Sequence, residues 1–273
     1  MSVECCKKCN NKKFGITTLH TDNILESFKI CQMLDCKCVQ IIYNSHIFKN
    51  QSELKDINTY LESNNLNVVY HAPLWINLAN PESQYKSVQC LKSICDTLCQ
   101  CVNSNSVFHI GTNGTIYNVA NALNSLNLPH YSKSLLSAEV SAGCGNQIGC
   151  TWDDLRKLYE AVDTQFLGLC IDTQHLFGSG MCQFESAESV CKLFENISDI
   201  GARLDTVHLN DSAVEFKSSK DRHAGLTYGY IWNSETDSLV QLLNRLNSDK
   251  INTVLETRDS QIRDLKKIYT LLD

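Results

Sequence analysis

Proline is scarce in this 273-residue chain, at 3 residues, and no Pro/Gly-rich linker, internal repeat or low-complexity block divides it. No apolar run approaches the length that spans a bilayer, and the first residues are too polar to read as a secretory signal. A basic surplus is missing too: 24 Lys and Arg face 30 Asp and Glu, a formal net charge of −6. That balance argues against strong non-specific binding to nucleic acid. It leaves room for a local basic face around an acidic metal site. No GxGxxG turn follows the first strand candidate, which disfavours a dinucleotide-binding sheet. The expectation is an ordinary globular protein, intracellular and without membrane contact.

Cysteine, by contrast, is abundant at 15 residues. An odd total without a secretory signal favours reduced thiols over a disulfide framework. Cys6-x-x-Cys9 has the spacing of half a zinc knuckle, but no second pair completes it. Cys90, Cys95 and Cys99 fall in a helical pattern and read as small buried apolar residues.

Residues 1–13 read as a polar lead-in and 14–273 as a single domain. Short β-branched runs at 14–18, 38–43, 67–71, 106–110, 135–139, 167–171, 205–209 and 252–256 alternate with helical patterns. Those helices are expected at 22–33 (Asp22 as N-cap), 52–63, 81–101, 116–126, 152–162, 187–200, 237–246 and 261–272, with Pro81 suited to a first turn. Eight strands, each followed by a helix, is the rhythm of a (β/α)₈ TIM barrel, and a doubly wound sheet is the runner-up.

Metal-competent residues fall at the ends of these strands. His71 ends the third, His109 the fourth, Glu139 the fifth, Asp172 the sixth, His208 the seventh and Glu256 the eighth. In a barrel all these ends meet at one mouth. One His or carboxylate after a strand is usually a core or capping residue. Six consecutive strands ending so have no packing rationale, because unpaired buried carboxylates are costly. Bound cations would offset that cost. His175, one turn past Asp172, and Asp221-Arg222-His223 bring the candidates to nine, too many for one ion and enough for three. Imidazole and carboxylate without a convincing thiolate suit Zn²⁺ or Mn²⁺.

Gly168-Leu-Cys-Ile-Asp-Thr-Gln-His175, Val207-His-Leu-Asn-Asp211 and Asp221-Arg222-His223 resemble three signature segments of the endonuclease IV family. His71-Ala-Pro-Leu-Trp-Ile-Asn-Leu78, Glu139-Val-Ser-Ala-Gly-Cys-Gly145 and Leu255-Glu256-Thr257 extend the resemblance over residues 14–273. It implies a zinc-dependent AP endonuclease of DNA base excision repair. Such an enzyme hydrolyses the phosphodiester 5′ to abasic sites in double-stranded DNA, leaves a 3′-hydroxyl and a 5′-deoxyribose phosphate, and trims blocked 3′ ends.

The resemblance also implies three zinc ions at the C-terminal mouth, with Mn²⁺ an alternative at one or more positions. His71, His109 and Glu139 would hold the first. Glu139 would bridge to the second, which Asp172, His208 and Glu256 complete, and His175, Asp221 and His223 would hold the third. Glu139 and Glu256 are the catalytic carboxylates, Glu256 also orienting or deprotonating the nucleophile. Lys49, Asn50, Gln51, Leu74, Trp75 and Arg222 are the expected DNA contacts, with Leu74, where the family usually carries an aromatic, or Trp75 as the wedge. Asn210 and Asp211 would orient ligands, and Gly111 and Gly114 would permit close backbone approach after His109. The expected state is a monomer in the cytoplasm, the nucleus or viral replication sites.

Two rival readings use the same residues. A sugar isomerase or epimerase needs only Glu139, Asp172, His208 and Glu256 and leaves the other ligands unexplained. A DNA-damage binding protein without turnover has no need of a complete ligand set.

Overall fold

The computed structural model describes residues 13–18, 24–43, 51–131, 133–232 and 237–273. The strands are β1 Phe14–Thr18, β2 Cys38–Ile42, β3 Asn67–His71, β4 Ser104–His109, β5 Leu136–Glu139, β6 Leu167–Asp172 and β7 Arg203–His208. Two-residue strands β8 Asp211–Ser212 and β9 His223–Ala224 precede β10 Asn252–Leu255. All but β8 and β9 form a closed parallel barrel in the order β1-β10-β7-β6-β5-β4-β3-β2. The helices are α1 Ile24–Met33, α2 Gln51–Asn64, α3 Pro81–Leu98, α4 Ile116–Ser125, α5 Trp152–Ala161, α6 Thr173–Ser179, α7 Ala187–Asp199, α8 Asp237–Asp249 and α9 Gln261–Leu272.

Period-two alternation sorts the strand residues onto two faces. Val39, Ile41, Val68, Tyr70, Phe108, Ile171, Val207 and Leu255 point outward and pack with helical Phe28, Ile57, Leu91, Leu123, Leu155 and Leu242. Cys38, Val69, Val107, Cys170 and Val254 make a separate apolar cluster that plugs the barrel interior. Two residues beyond each plug residue, on the same face, stand Gln40, His71, His109, Asp172 and Glu256. The floor of the site is thus the apolar plug, and its wall is the next layer up each strand.

Side-chain caps set the helix starts. Asn80 accepts from Glu82 N ahead of Pro81, Thr115 caps α4, Thr151 caps α5, and Ser186 with Ser189 forms a capping box on α7. The structure departs from the sequence reading at α3, which ends at Leu98 rather than running to 101. Cys99 is accordingly an exposed C-cap residue, not a buried one, whereas Cys95 is buried and Cys90 half-buried. Cys6, Cys9 and the expected cap Asp22 lie outside the described residues.

Candidate metal centre and active site

All nine sequence-predicted ligands converge on the C-terminal mouth. The strands deliver His71, His109, Glu139, Asp172 and His208 directly, and Glu256 follows β10. His175 arrives on α6, a helix the strand-and-helix reading missed. Asp172 is its N-cap, taking Gln174 N at 2.7 Å and His175 N at 3.0 Å on Oδ1, and Gly180 closes it in the left-handed region at φ 87°. The antiparallel pairing of β8 with β9 folds the chain back, so His223 and Asp221 return to the mouth.

Three groups of ligand atoms lie within reach of a single ion each: His71, His109 and Glu139; Glu139, Asp172 and His208; Asp172, His175 and His223. Glu139 belongs to the first two and Asp172 to the last two. Glu139 Oε2 is 3.3 Å from His71 Nε2 and 3.2 Å from His109 Nε2. Its Oε1 is 3.1 Å from His208 Nδ1, which lies 3.4 Å from Glu256 Oε2. Asp221 bridges His175 Nε2 at 3.4 Å and His223 Nε2 at 3.3 Å, and Asp172 Oδ2 is also 3.4 Å from His223 Nε2.

The donor set fits divalent cations. His71 Nδ1 lies 2.7 Å from the Ala72 carbonyl and His175 Nδ1 2.9 Å from that of Val140, so each proton sits on Nδ1. In the neutral ring each Nε2 turns a lone pair toward a carboxylate oxygen, an arrangement that repels unless a proton or a metal cation lies between. Among the described residues, Glu139 Oε2, His175 Nε2 and His223 Nε2 are buried without a hydrogen-bond partner. Buried polar atoms are rarely left so, and an ion would satisfy all three.

Electrostatics agree. Burial pushes the Glu139 carboxyl up, but His208 and His109 outweigh it and hold it well below the ordinary range. Asp172 is lowered too, burial being overcome by His175 and His223. Burial depresses His223, yet Asp172, Glu256 and Asp221 raise it to about 9. His109, His175 and His208 rise in the same sense, against their burial, chiefly through Glu139, through Asp172, and through Cys170 with Glu256 respectively. A metal must therefore displace protons to enter.

A cavity of about 300 Å³ opens above the ligands, lined further by Thr17, Ile42, Leu74, Arg258 and Gln261. Leu74 is 67% exposed and Trp75 48%, with Lys86 Nζ 4.7 Å over the Trp75 ring. Arg222 is exposed and donates to the Asp221 carbonyl at 2.6 Å. Lys49 and Asn50 lie outside the described residues, and Gln51 opens α2. Gly111, at φ 128°, and Gly114 have no room for a Cβ against Asn77, Leu78 and Ala79, which clasps the loop after His71 to the loop after His109.

Asn210 touches the ligands, donating to Asp172 Oδ2 at 2.7 Å and accepting from Glu256 N at 3.0 Å. Asp211 does not reach a ligand. Its carboxylate accepts the backbone N–H groups of Ser212, Thr227, Gly229 and Ile231, so it clamps the turn after β9 instead.

Two residues escaped the sequence reading. Gln40, fully buried in β2, meets His208 and Glu256; a lone polar residue in Cys38-Val39-Gln40-Ile41-Ile42 was its signal. Cys144, half-buried, accepts from Asp221 N at 3.1 Å. Nothing in its local sequence marks a contact with a residue 77 positions away.

Comparison with known proteins agrees with this architecture. Residues 28–270 match the family model described as Xylose isomerase-like TIM barrel. A "Probable endonuclease 4" of Carboxydothermus hydrogenoformans is 30% identical over 233 residues, covering 81% of this chain and 81% of that protein. Endonuclease IV from Thermus thermophilus superposes with a TM-score of 0.80 at 22% identity, over 95% of this chain and 98% of the other. A D-tagatose 3-epimerase-like protein superposes less well, at a TM-score of 0.70 and 19% identity over 95% of each chain. Matched along most of its length by a model of this barrel and by an endonuclease 4 relative, the chain belongs to the endonuclease IV family.

Proposed function

We propose that this protein is a zinc-dependent AP endonuclease. It hydrolyses the phosphodiester 5′ to an abasic site in double-stranded DNA, leaves a 3′-hydroxyl and a 5′-deoxyribose phosphate, and also trims blocked 3′ ends. It acts as a monomer inside the cell, in the cytoplasm, the nucleus or viral replication sites. The observation that carries the reading is the cluster of buried, mutually facing imidazole and carboxylate atoms left without hydrogen bonds at the barrel mouth.

Three zinc ions fit the residues, with Mn²⁺ an alternative. His71, His109 and Glu139 would hold one, and Glu139, Asp172, His208 and Glu256 a second. His175, Asp221 and His223 would hold the third, and Asp172 also lies within reach of it. When bound, such ions offset the negative charge of a phosphodiester and lower the pKa of water.

The chain's own groups do the rest. Glu256 Oε2 faces the ligand cluster and orients the attacking water or takes its proton. Water adds to phosphorus, the bond to the 3′ oxygen breaks, and a proton ends on that oxygen. Arg222, with Arg258 on the cavity wall, offers guanidinium groups to flanking phosphates. Leu74 or Trp75, exposed on the rim, fills the gap left when the baseless sugar leaves the stack. Lys49, Asn50 and Gln51 contact DNA. Local cations at the rim are compatible with an acidic chain overall.

The test is cleavage of a labelled duplex carrying one abasic analogue, beside an intact duplex and a Glu139→Ala control. Incision confined to the abasic site, giving a 3′-hydroxyl and reduced at least about a thousandfold in the variant, is expected. A folded, zinc-loaded protein that leaves the duplex intact overturns the proposal. Turnover of a sugar in its place would establish an isomerase or epimerase, and tight abasic-site binding without cleavage a damage-binding protein.

A further inference from the structure

Gln40 is fully buried, in a strand that supplies none of the nine ligands. It lies on β2, whose barrel neighbours are β1 and β3, so it meets β7 and the end of β10 only by reaching across the interior. Its Nε2 lies 2.6 Å from Glu256 Oε1 and 3.2 Å from Thr17 Oγ1, and its Oε1 lies 2.8 Å from His208 Nε2. A carboxylate oxygen only accepts, so the amide nitrogen must face Glu256. The amide oxygen is then fixed toward His208, whose Nε2 must donate. In the neutral ring that leaves His208 Nδ1 with its lone pair turned to Glu139 and Glu256.

His71 and His175 have the same service done by backbone carbonyls, of Ala72 and Val140. For His208 a side chain does it, and the same side chain occupies one oxygen of Glu256, leaving Oε2 for the cluster. We infer that Gln40 is a positioning residue of the second metal site: one amide fixes which nitrogen of His208 faces the ion and which oxygen of Glu256 does. This rests on the metal reading given above. Groups that orient a ligating imidazole are typically worth 10- to 100-fold in metal affinity.

The test compares wild type with Gln40→Met, of similar length and without hydrogen bonds, and Gln40→Glu, which retains an acceptor for His208 but sets a second carboxyl against Glu256 in place of the amide donor. The readouts are zinc affinity by competition with a chromophoric chelator, the Tm of the metal-free protein, and the His208 Nε2–H proton resonance in the zinc-loaded protein. Gln40→Met is expected to hold its most affected zinc about 10- to 100-fold more weakly, with that resonance lost to solvent exchange. Gln40→Glu is expected to keep the resonance while still losing affinity, and it decides the matter if Gln40→Met does not fold. Zinc affinity within twofold of wild type in a folded variant overturns the inference alone. So does a Gln40→Glu protein that loses the resonance. A wild-type protein that binds no zinc overturns the metal reading and this inference together.

Discussion

His71, His109 and Glu139 leave three neighbouring strands, β3, β4 and β5, in a fixed register that sets His109 beside Glu139. Asp221 and His223 lie at the far end of the excursion from β8 to β9, and His175 on a helix of seven residues. Strand hydrogen bonds hold the first group. A web of single contacts holds the second. Gln174 Nε2 donates to the Lys220 carbonyl, Ser219 N to Gly178 O, Ala213 N to Arg222 O, and Asp221 N to the Cys144 thiol. Lys217 and Ser219 adopt positive φ, at 62° and 53°, along the same excursion. Side chains other than Gly are uncommon there, so those contacts must hold the loop in shape. One half of the centre is placed by the barrel itself and the other by its ornaments.

Substituting one imidazole in each half should expose that difference most strongly. His71→Ala and His223→Ala should each reduce incision at least about a hundredfold. Excess zinc should restore part of the His71→Ala activity, since its partners stay in register. His223→Ala should not recover, and backbone amide exchange over residues 213–222 should rise. Equal rescue of both variants would show that the loop is as firmly placed as the strands.

Acid should act next. The raised imidazoles hold protons in the metal-free protein, so zinc must expel them, and affinity should fall as pH drops below their pKa values. For His223 the gain should continue up to about pH 9. Calorimetry in buffers of differing ionisation enthalpy should report net proton release on zinc binding. Flat affinity between pH 6 and 9 would contradict the electrostatic picture.

The smallest effect belongs to the thiol. Cys144→Ala should weaken only the loop-borne zinc, by about tenfold, and Cys144→Ser should recover part of that through its hydroxyl acceptor. Stoichiometry by metal analysis and the Tm of the metal-free protein separate this from a general loss of stability.

The strand-borne half was readable from alternation alone. Each of its ligands follows a short apolar strand, and the expected strand ends fall within a residue or so of the observed ones. The loop-borne half was not. Asp221-Arg222-His223 has no periodicity: its residue types marked it as ligand-competent, and only likeness to a family grouped it with His175 around one ion. Helix α6 was overlooked although both its signals were present, Asp172 at the start and Gly180 past the end, because seven residues are too few to show a repeat. Asp211 was expected beside the ligands from its place after His208 and Asn210. Its side chain instead meets the amide of its neighbour Ser212 and three amides of a turn further along the chain, a partnership no local pattern encodes.

Asp172 divides its two oxygens between tasks: Oδ1 closes the start of α6, while Oδ2 takes the Asn210 amide and looks toward His223. The carboxylate is therefore oriented by donors of the chain itself, the helix start on one oxygen and an amide on the other. Zinc uptake at this corner should then be paced by shedding of water and protons rather than by a folding step. The position also has no neutral replacement. Glutamate moves the charge by a methylene and loses the cap, and asparagine keeps the cap but presents a donor or an uncharged oxygen to the metal. A lineage that altered this residue would lose the helix start or the ion.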